Sequence, residues 1–398
     1  MKVEDVRNDI PILSKVIYLD NAATTPTPEP VIHSMLEFFR EYSANVGRGA
    51  HHLTEEATMK YEEAREKIAR FINAEKGEIV FTKNTTEAIN LVANGLEWKE
   101  KDEVITTVIE HHSNLLPWQR LNKKNKIKLN VVNSRKDGMV DVGEIEREIN
   151  DNTKLIAITH ISNVFGSIQE VKEIGKLCKN EGILFLIDGA QSVGHIDVDV
   201  KEIGCDFYAI SGHKGLLGPQ GTGALYCRKS ILEELEPLNL GGGTVHSVSL
   251  YDYKLIEVPQ RFESGTPNIP GIIGLGRAID YVSEIGVNKI EKREKKLTKQ
   301  LTEELESTDK IELYCPVKEE NRSGVISFNV GNLSPHDVAI MLDEVENIIV
   351  RSGHHCAMPS MELLGVDGTV RVSVHYYNTE EEINVFLDIV KKIAKSFS

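Results

Sequence analysis

Lys214 stands in the run Ser211-Gly212-His213-Lys214-Gly215, directly after the apolar stretch Phe207 to Ile210, which reads as a buried strand. An amine at a strand end, beside a hydroxyl and an imidazole, can bind an aldehyde covalently while Ser211 and His213 contact a phosphate. Residue type alone says little, because most lysines are solvated surface charges. A second group changes its meaning. The wholly apolar run Ile183 to Ile187 ends in Asp188, and a carboxylate there is costly unless paired.

A protonated pyridine nitrogen would pair it and keep the ring able to accept electrons, which is the chemistry of pyridoxal 5'-phosphate (PLP). The plainer reading of Asp188 is a helix N-cap. Asn84-Thr85-Thr86-Glu87 follows a strand ending at Phe81 and enters a helix whose first amides can cradle an anion. His111, after another strand, offers a ring to stack on a cofactor face; alone it would more often be structural.

A reachable thiol is suggested by Arg351-Ser352-Gly353-His354-His355-Cys356-Ala357. A cysteine in a loop with glycine and imidazoles is more reachable than Cys178 or Cys227, which sit in apolar patterns, and nearby imidazoles favour the nucleophilic thiolate. A zinc site on His354, His355 and Cys356 would need adjacent ligands on one short segment with no second cluster, so no metal is expected. A plain packed cysteine is the other alternative. Arg371, in Gly368-Thr369-Val370-Arg371, suits bidentate capture of an amino-acid carboxylate.

The elements that must position these groups are short β-branched runs between helix-like segments. Glu78 to Phe81, Val104 to Thr107, Leu155 to Thr159, Ile183 to Ile187 and Phe207 to Ile210 read as strands of a mostly parallel sheet. Thr86 to Gly95 and Val171 to Asn180 suit crossover helices, which makes the body α/β with ligands at the carboxyl ends of strands. From about Val287 the texture changes to a charged amphipathic helix, Asn288 to Ser307, then a strand-like Ser323 to Val330. We therefore expect a large domain over 16–286 and a smaller α+β domain from 1–15 and 287–398 that carries the cysteine loop. Ser334-Pro335 and the pair Thr379 and Glu382 mark helix starts.

Composition narrows the class. The 398 residues include 46 basic and 61 acidic side chains, a formal charge of -15 that opposes binding to nucleic acid or anionic membrane. Five scattered cysteines with no C-x-x-C pair encode neither a disulfide framework nor a zinc ribbon. The charged start and the lack of a long apolar run point to a cytoplasmic protein.

Taken together, the segments Tyr18-Leu19-Asp20-Asn21-Ala22-Ala23, Asn84-Thr85-Thr86-Glu87, Glu110-His111-His112-Ser113-Asn114, Asp188-Gly189-Ala190-Gln191, Ser211-Gly212-His213-Lys214 and Phe262-Glu263-Ser264-Gly265-Thr266-Pro267-Asn268 resemble the class V aminotransferase group of fold-type I PLP enzymes. With the Cys356 loop, the resemblance is to the Suf-type cysteine desulfurases. It implies a cofactor held covalently by Lys214, Asp188 on the ring nitrogen, Gln191 on the phenolic oxygen and His111 on the ring face. Thr85, Thr86, Ser211 and His213 would surround the phosphate, and Thr266 would reach the phosphate of the partner in a homodimer. Arg371, with Arg351 and Asn163 close by, would bind L-cysteine, whose sulfur passes to Cys356 as a persulfide and on to an acceptor protein, for iron-sulfur cluster assembly or other sulfur trafficking. Selenocysteine lyase, a class V aminotransferase or epimerase that does not use the thiol, and a non-catalytic carrier on the same fold are the alternatives. After Lys214 the turn Gly215-Leu216-Leu217-Gly218-Pro219-Gln220 looks more like the wider class V group than the shorter turn of Suf enzymes.

Overall fold

The computed structural model describes residues 1–47 and 49–396. Its centre is a sheet of seven strands: β1 (Ile79–Thr82), β2 (Glu103–Thr107), β3 (Lys128–Val132), β4 (Thr153–Thr159), β5 (Leu184–Asp188), β6 (Phe207–Ser211) and β7 (Gly223–Cys227). Their order across the sheet is β1-β7-β6-β5-β4-β2-β3. All neighbours from β6 through β3 run parallel, and β7 alone is antiparallel to both strands beside it.

Helices cover both faces, so the central strands are apolar throughout. Phe185, Leu186 and Ile187 are all fully buried, and each such side chain contributes roughly 1.5–3 kcal/mol by leaving water. That fixes the end of β5 in place. The register sets Asp188 between Thr159 of β4 and Ala209 of β6. Gly189 follows because nothing larger fits: a Cβ there would lie 2.0 Å from the ring of Tyr208.

A four-stranded antiparallel sheet forms the second body, from β8 (Ile311–Tyr314), β9 (Val325–Val330), β10 (Arg351–Gly353) and β11 (Thr369–Ser373), in the order β8-β9-β11-β10. It has its own core, which includes Leu297, Leu301, Phe328, Val372 and Phe386. The amphipathic segment after Val287 is a helix over Val287–Glu306, and Thr379 and Glu382 form the reciprocal pair expected of a capping box, at 3.0 and 3.1 Å. β9 starts at Val325, two residues later than the apolar pattern suggests, because the Ser323 amide bonds Gly166 of the large body instead.

The N-terminal stretch belongs to the seam. Val6, Ile10 and Leu13 pack with Tyr281, Ile285, Tyr376 and Tyr377, and Ile17–Tyr18 pairs in parallel with Ile348–Ile349. Among the described residues no helix is long and apolar enough to cross a membrane.

Candidate active site

Helix α1 (Thr85–Gly95) starts where Asn84 accepts the Glu87 amide at 2.9 Å. The helix begins one residue earlier than its apolar pattern suggests, since this cap brings Thr85 into the first turn. Thr85 and Thr86 therefore sit at a helix N-terminus whose free amides face the carboxyl end of the sheet.

There a cavity of about 280 Å³ is lined by Thr85, Thr86, His111, Asn163, Asp188, Gln191, Ser211, His213 and Lys214. Nine expected residues from five separate segments thus meet in one place. Thr85 Oγ1 is buried with no hydrogen-bond partner. Asp188 is 3% exposed, and among the described residues its carboxylate accepts only the Ala190 amide, at 2.9 Å. Burial raises its carboxyl above the ordinary range, while the Ala190 bond and Lys214 pull it back.

Among the described residues, the Lys214 ammonium has no hydrogen bond. Burial lowers it to about 8, Asp188 opposing the shift and Arg371 adding to it, so the amine is poised to lose its proton near neutrality. Burial also holds His111 down at about 3 and His213 at about 4; both rings are neutral at working pH. His111 Nδ1 lies 2.9 Å from Ser113 Oγ, which is 2.7 Å from Thr86 Oγ1. Gln191 Nε2 donates to the Ala22 carbonyl at 2.8 Å and keeps a second proton free.

Cys356 is the exposed cysteine; Cys178, Cys205 and Cys227 are buried and Cys315 is half-buried. Its loop is pinned from both bodies. Asn163 Nδ2 donates to the His355 carbonyl at 2.7 Å, and His355 Nε2 lies 2.8 Å from Thr369 Oγ1. These anchors hold His355 and Cys356 in consecutive left-handed conformations, φ 51° and 55°, each costing about 1–3 kcal/mol for a residue with a Cβ. His355 Nε2 is thereby committed to Thr369, and among the described residues His354, His355 and Cys356 form no cluster of converging metal-capable atoms. Among the described residues the one cluster of three metal-capable groups is His195, Glu294 and His375. There His195 binds Glu294 at 2.9 Å, and the His375 nitrogens are engaged by the Tyr376 amide and the Gly215 carbonyl.

Arg371 is buried, with one terminal nitrogen donating to Asn163 O and the other to Asp20 Oδ1, both at 3.1 Å. Arg351 is half-exposed and 3.8 Å from Asp20. Thr266 lies apart from the Lys214 cavity, in a cleft with Tyr61, Glu263 and Asn268.

Three residues escaped the sequence reading of the site. Ser113 bridges His111 and Thr86. Glu110, fully buried and raised to about 8 by burial, accepts from Thr107, Asn114 and the Thr159 amide and ties β2 to β4. Asp20 pairs with Arg371. Glu110 could have been found by the rule that drew attention to Asp188, a carboxylate at the end of an apolar strand; the Asp20 pairing has no local signal.

The aminotransferase class-V family model matches residues 17–386. A probable cysteine desulfurase of Methanothermobacter thermautotrophicus is 53% identical over 99% of this chain and 98% of its own length, and one of Pyrococcus abyssi is 53% identical over the same shares. The apo structure of a cysteine desulfurase from Thermococcus onnurineus NA1 superposes with a TM-score of 0.96 at 50% identity, covering 99% of this chain and 98% of that one. The residues of the cavity fit PLP. An unpartnered hydroxyl on Thr85 at a helix N-terminus awaits an anion, a buried carboxylate with one unbonded oxygen awaits a cation, and an unpaired amine awaits a carbonyl.

Proposed function

From the premise that this chain belongs to the aminotransferase class-V family and is a PLP-dependent cysteine desulfurase, as its close relatives are named, we propose which of its residues do the chemistry. The observation that carries the proposal is the union, around one cavity, of an unpaired Lys214 amine, the buried Asp188 carboxylate and an anion cradle, with an exposed Cys356 on a loop fastened beside it.

When bound, PLP supplies a carbonyl for an amine to condense with and an electron-poor ring that accepts charge from the substrate's α-carbon. Lys214 would hold it covalently, Asp188 and Gln191 would meet its ring nitrogen and phenolic oxygen, and His111 would lie against its face. Thr85, Thr86, Ser211 and His213 would bind the phosphate. Neutral His111 would add no competing charge to the ring side, and the buried Asp188 carboxylate would favour a proton on the ring nitrogen.

L-Cysteine would dock its carboxylate on Arg371, with Arg351 and Asn163 beside it. Once the substrate's amine has displaced it, Lys214, with its proton affinity lowered by burial, would take the α-proton. The Cys356 thiolate attacks the substrate sulfur. A sulfur-sulfur bond forms, the carbon-sulfur bond breaks, and its electron pair stays with the carbon fragment, which is protonated and leaves as L-alanine. The persulfide on Cys356 then passes to a sulfur-acceptor protein.

Two features support a homodimer. Thr266 lies away from this chain's own Lys214 cavity, and Leu250 and Tyr251 on the hairpin segment of 245–255 are 92% and 97% exposed. Incubation with L-cysteine should give alanine and, with a reductant, an equal amount of sulfide. Alanine without sulfur on the protein or in solution would reject the persulfide route.

A further inference from the structure

Arg371 is not free to turn. Its two terminal nitrogens are committed to Asp20 Oδ1 and the Asn163 carbonyl, and its Nε is buried with no partner. The second Asp20 oxygen faces Arg351 at 3.8 Å. Asp20 is itself 8% exposed and anchored, since residue 20 bridges Ser373 on β11 and the Leu19 carbonyl accepts the Ser373 amide at 2.7 Å. A carboxylate is thus built into the corner where the substrate's own carboxylate would arrive. A buried donor left without an acceptor is costly, so the Arg371 Nε–H is a donor that an arriving ligand would satisfy. The groups in contact here are two guanidinium groups against one carboxylate, an excess of one positive charge, with the Lys214 amine farther off on the cavity side.

We infer that Asp20 is a specificity-determining residue: it fixes Arg371 with the Nε edge toward the ligand and limits the positive charge to what one carboxylate neutralises, so that amino acids with a second acidic group bind weakly. This rests on the reading that Arg371 receives the substrate carboxylate. A dense positive corner would hold any polyanionic amino acid. With Asp20 present, the second acid group of such a ligand meets a fixed negative charge and no spare guanidinium.

The test is calorimetric binding of L-alanine and L-cysteate, one acid group against two, to the cofactor-loaded protein. In Asp20→Asn the side-chain carbonyl still accepts from Arg371 but the charge is gone. The affinity ratio of cysteate to alanine should rise about fivefold or more, since a unit charge a few ångströms away in a half-buried site is worth at least that much. Arg351→Gln removes a positive charge from a side chain that is 55% exposed, so it folds whether or not the Asp20 variant does, and it should lower the same ratio. Arg371→Gln is the control for the underlying reading. If it leaves alanine binding unchanged, the carboxylate does not sit there and the inference falls with that reading. If it abolishes alanine binding while neither of the other substitutions moves the ratio, the inference alone is overturned and Asp20 is a structural counter-ion.

Discussion

The main-chain N–H of His112 donates to the carbonyl oxygen of Cys356 at 2.7 Å, so the loop that bears the thiol is fastened to the same wall that carries His111. The His112 ring adds a second tie: its Nε2 accepts the Met358 amide at 3.2 Å. Thiol and cofactor face are therefore positioned by adjacent residues.

His112→Ala removes the ring tie and leaves the main-chain bond. A hydrogen bond of this kind contributes about 1 kcal/mol net, which is about fivefold in the population of the fastened loop. Persulfide formation on Cys356 should slow by up to about that factor in single-turnover experiments, while cofactor content stays at the wild-type level. An unchanged rate would mean that the main-chain bond alone sets the loop.

Cys356→Ser should keep the cofactor, because no residue that lines the Lys214 cavity changes, yet release no sulfide from L-cysteine under reducing conditions. Lys214→Ala loses the covalent attachment of the cofactor as well as turnover. Borohydride reduction followed by peptide mass spectrometry should place the cofactor's mass on the Lys214 peptide of wild type and nowhere in the variant, and turnover should fall by about a thousandfold or more. Normal sulfide release by the serine variant would reject Cys356 as the acceptor.

Glu263 is a stability prediction inside a functional motif. The Arg65 guanidinium, fully buried, donates to both Glu263 oxygens at 2.6 and 3.0 Å, and the Phe81 amide and the Tyr61 hydroxyl add two further bonds, at 2.7 and 3.0 Å. Glu263→Ala leaves this cation with only its part-exposed partner Glu62, 3.1 Å away, and the Ile79 carbonyl, and breaking a buried pair from one side costs up to about 3–5 kcal/mol. Urea unfolding should show a loss approaching that order, and a loss below about 1 kcal/mol would mean that Glu62 alone suffices to neutralise Arg65.

The strand-end residues were legible because each is announced locally. Apolar runs end in Asp188 or Ser211, and a helix start follows Phe81, so the sheet's parallel order brings those ends together without further information. The Thr379 and Glu382 cap is equally local. By contrast, Asp20 and Arg371 are 351 residues apart, and their meeting depends on a short set of ties between residues 19–22 and Ser373 that no periodicity encodes. The two-residue pairing of Ile17–Tyr18 with Ile348–Ile349 is illegible for the same reason. Cys356 was read from the glycine and histidines around it, but the left-handed turn that exposes it comes from anchors on Asn163 and Thr369, which only the packed structure brings near.

The Lys214 amine gives a prediction about pH. Burial lowers it from the ordinary 10.5 to about 8, whereas in the unfolded chain it keeps its proton up to about the ordinary value. Between these limits the unfolded state binds the extra proton, so this group makes stability rise with pH across that window. Below about pH 8 both states are protonated and the folded protein bears the whole desolvation cost, on the order of 3 kcal/mol. The cofactor-free Lys214→Met variant should therefore be more stable than cofactor-free wild type at pH 7, and its advantage should shrink toward zero as pH rises from 8 to 10.5. Urea unfolding of both proteins at pH 7 and pH 10 measures the difference. An advantage of equal size at both values would show that methionine packing, not relief of a buried ammonium, is its source.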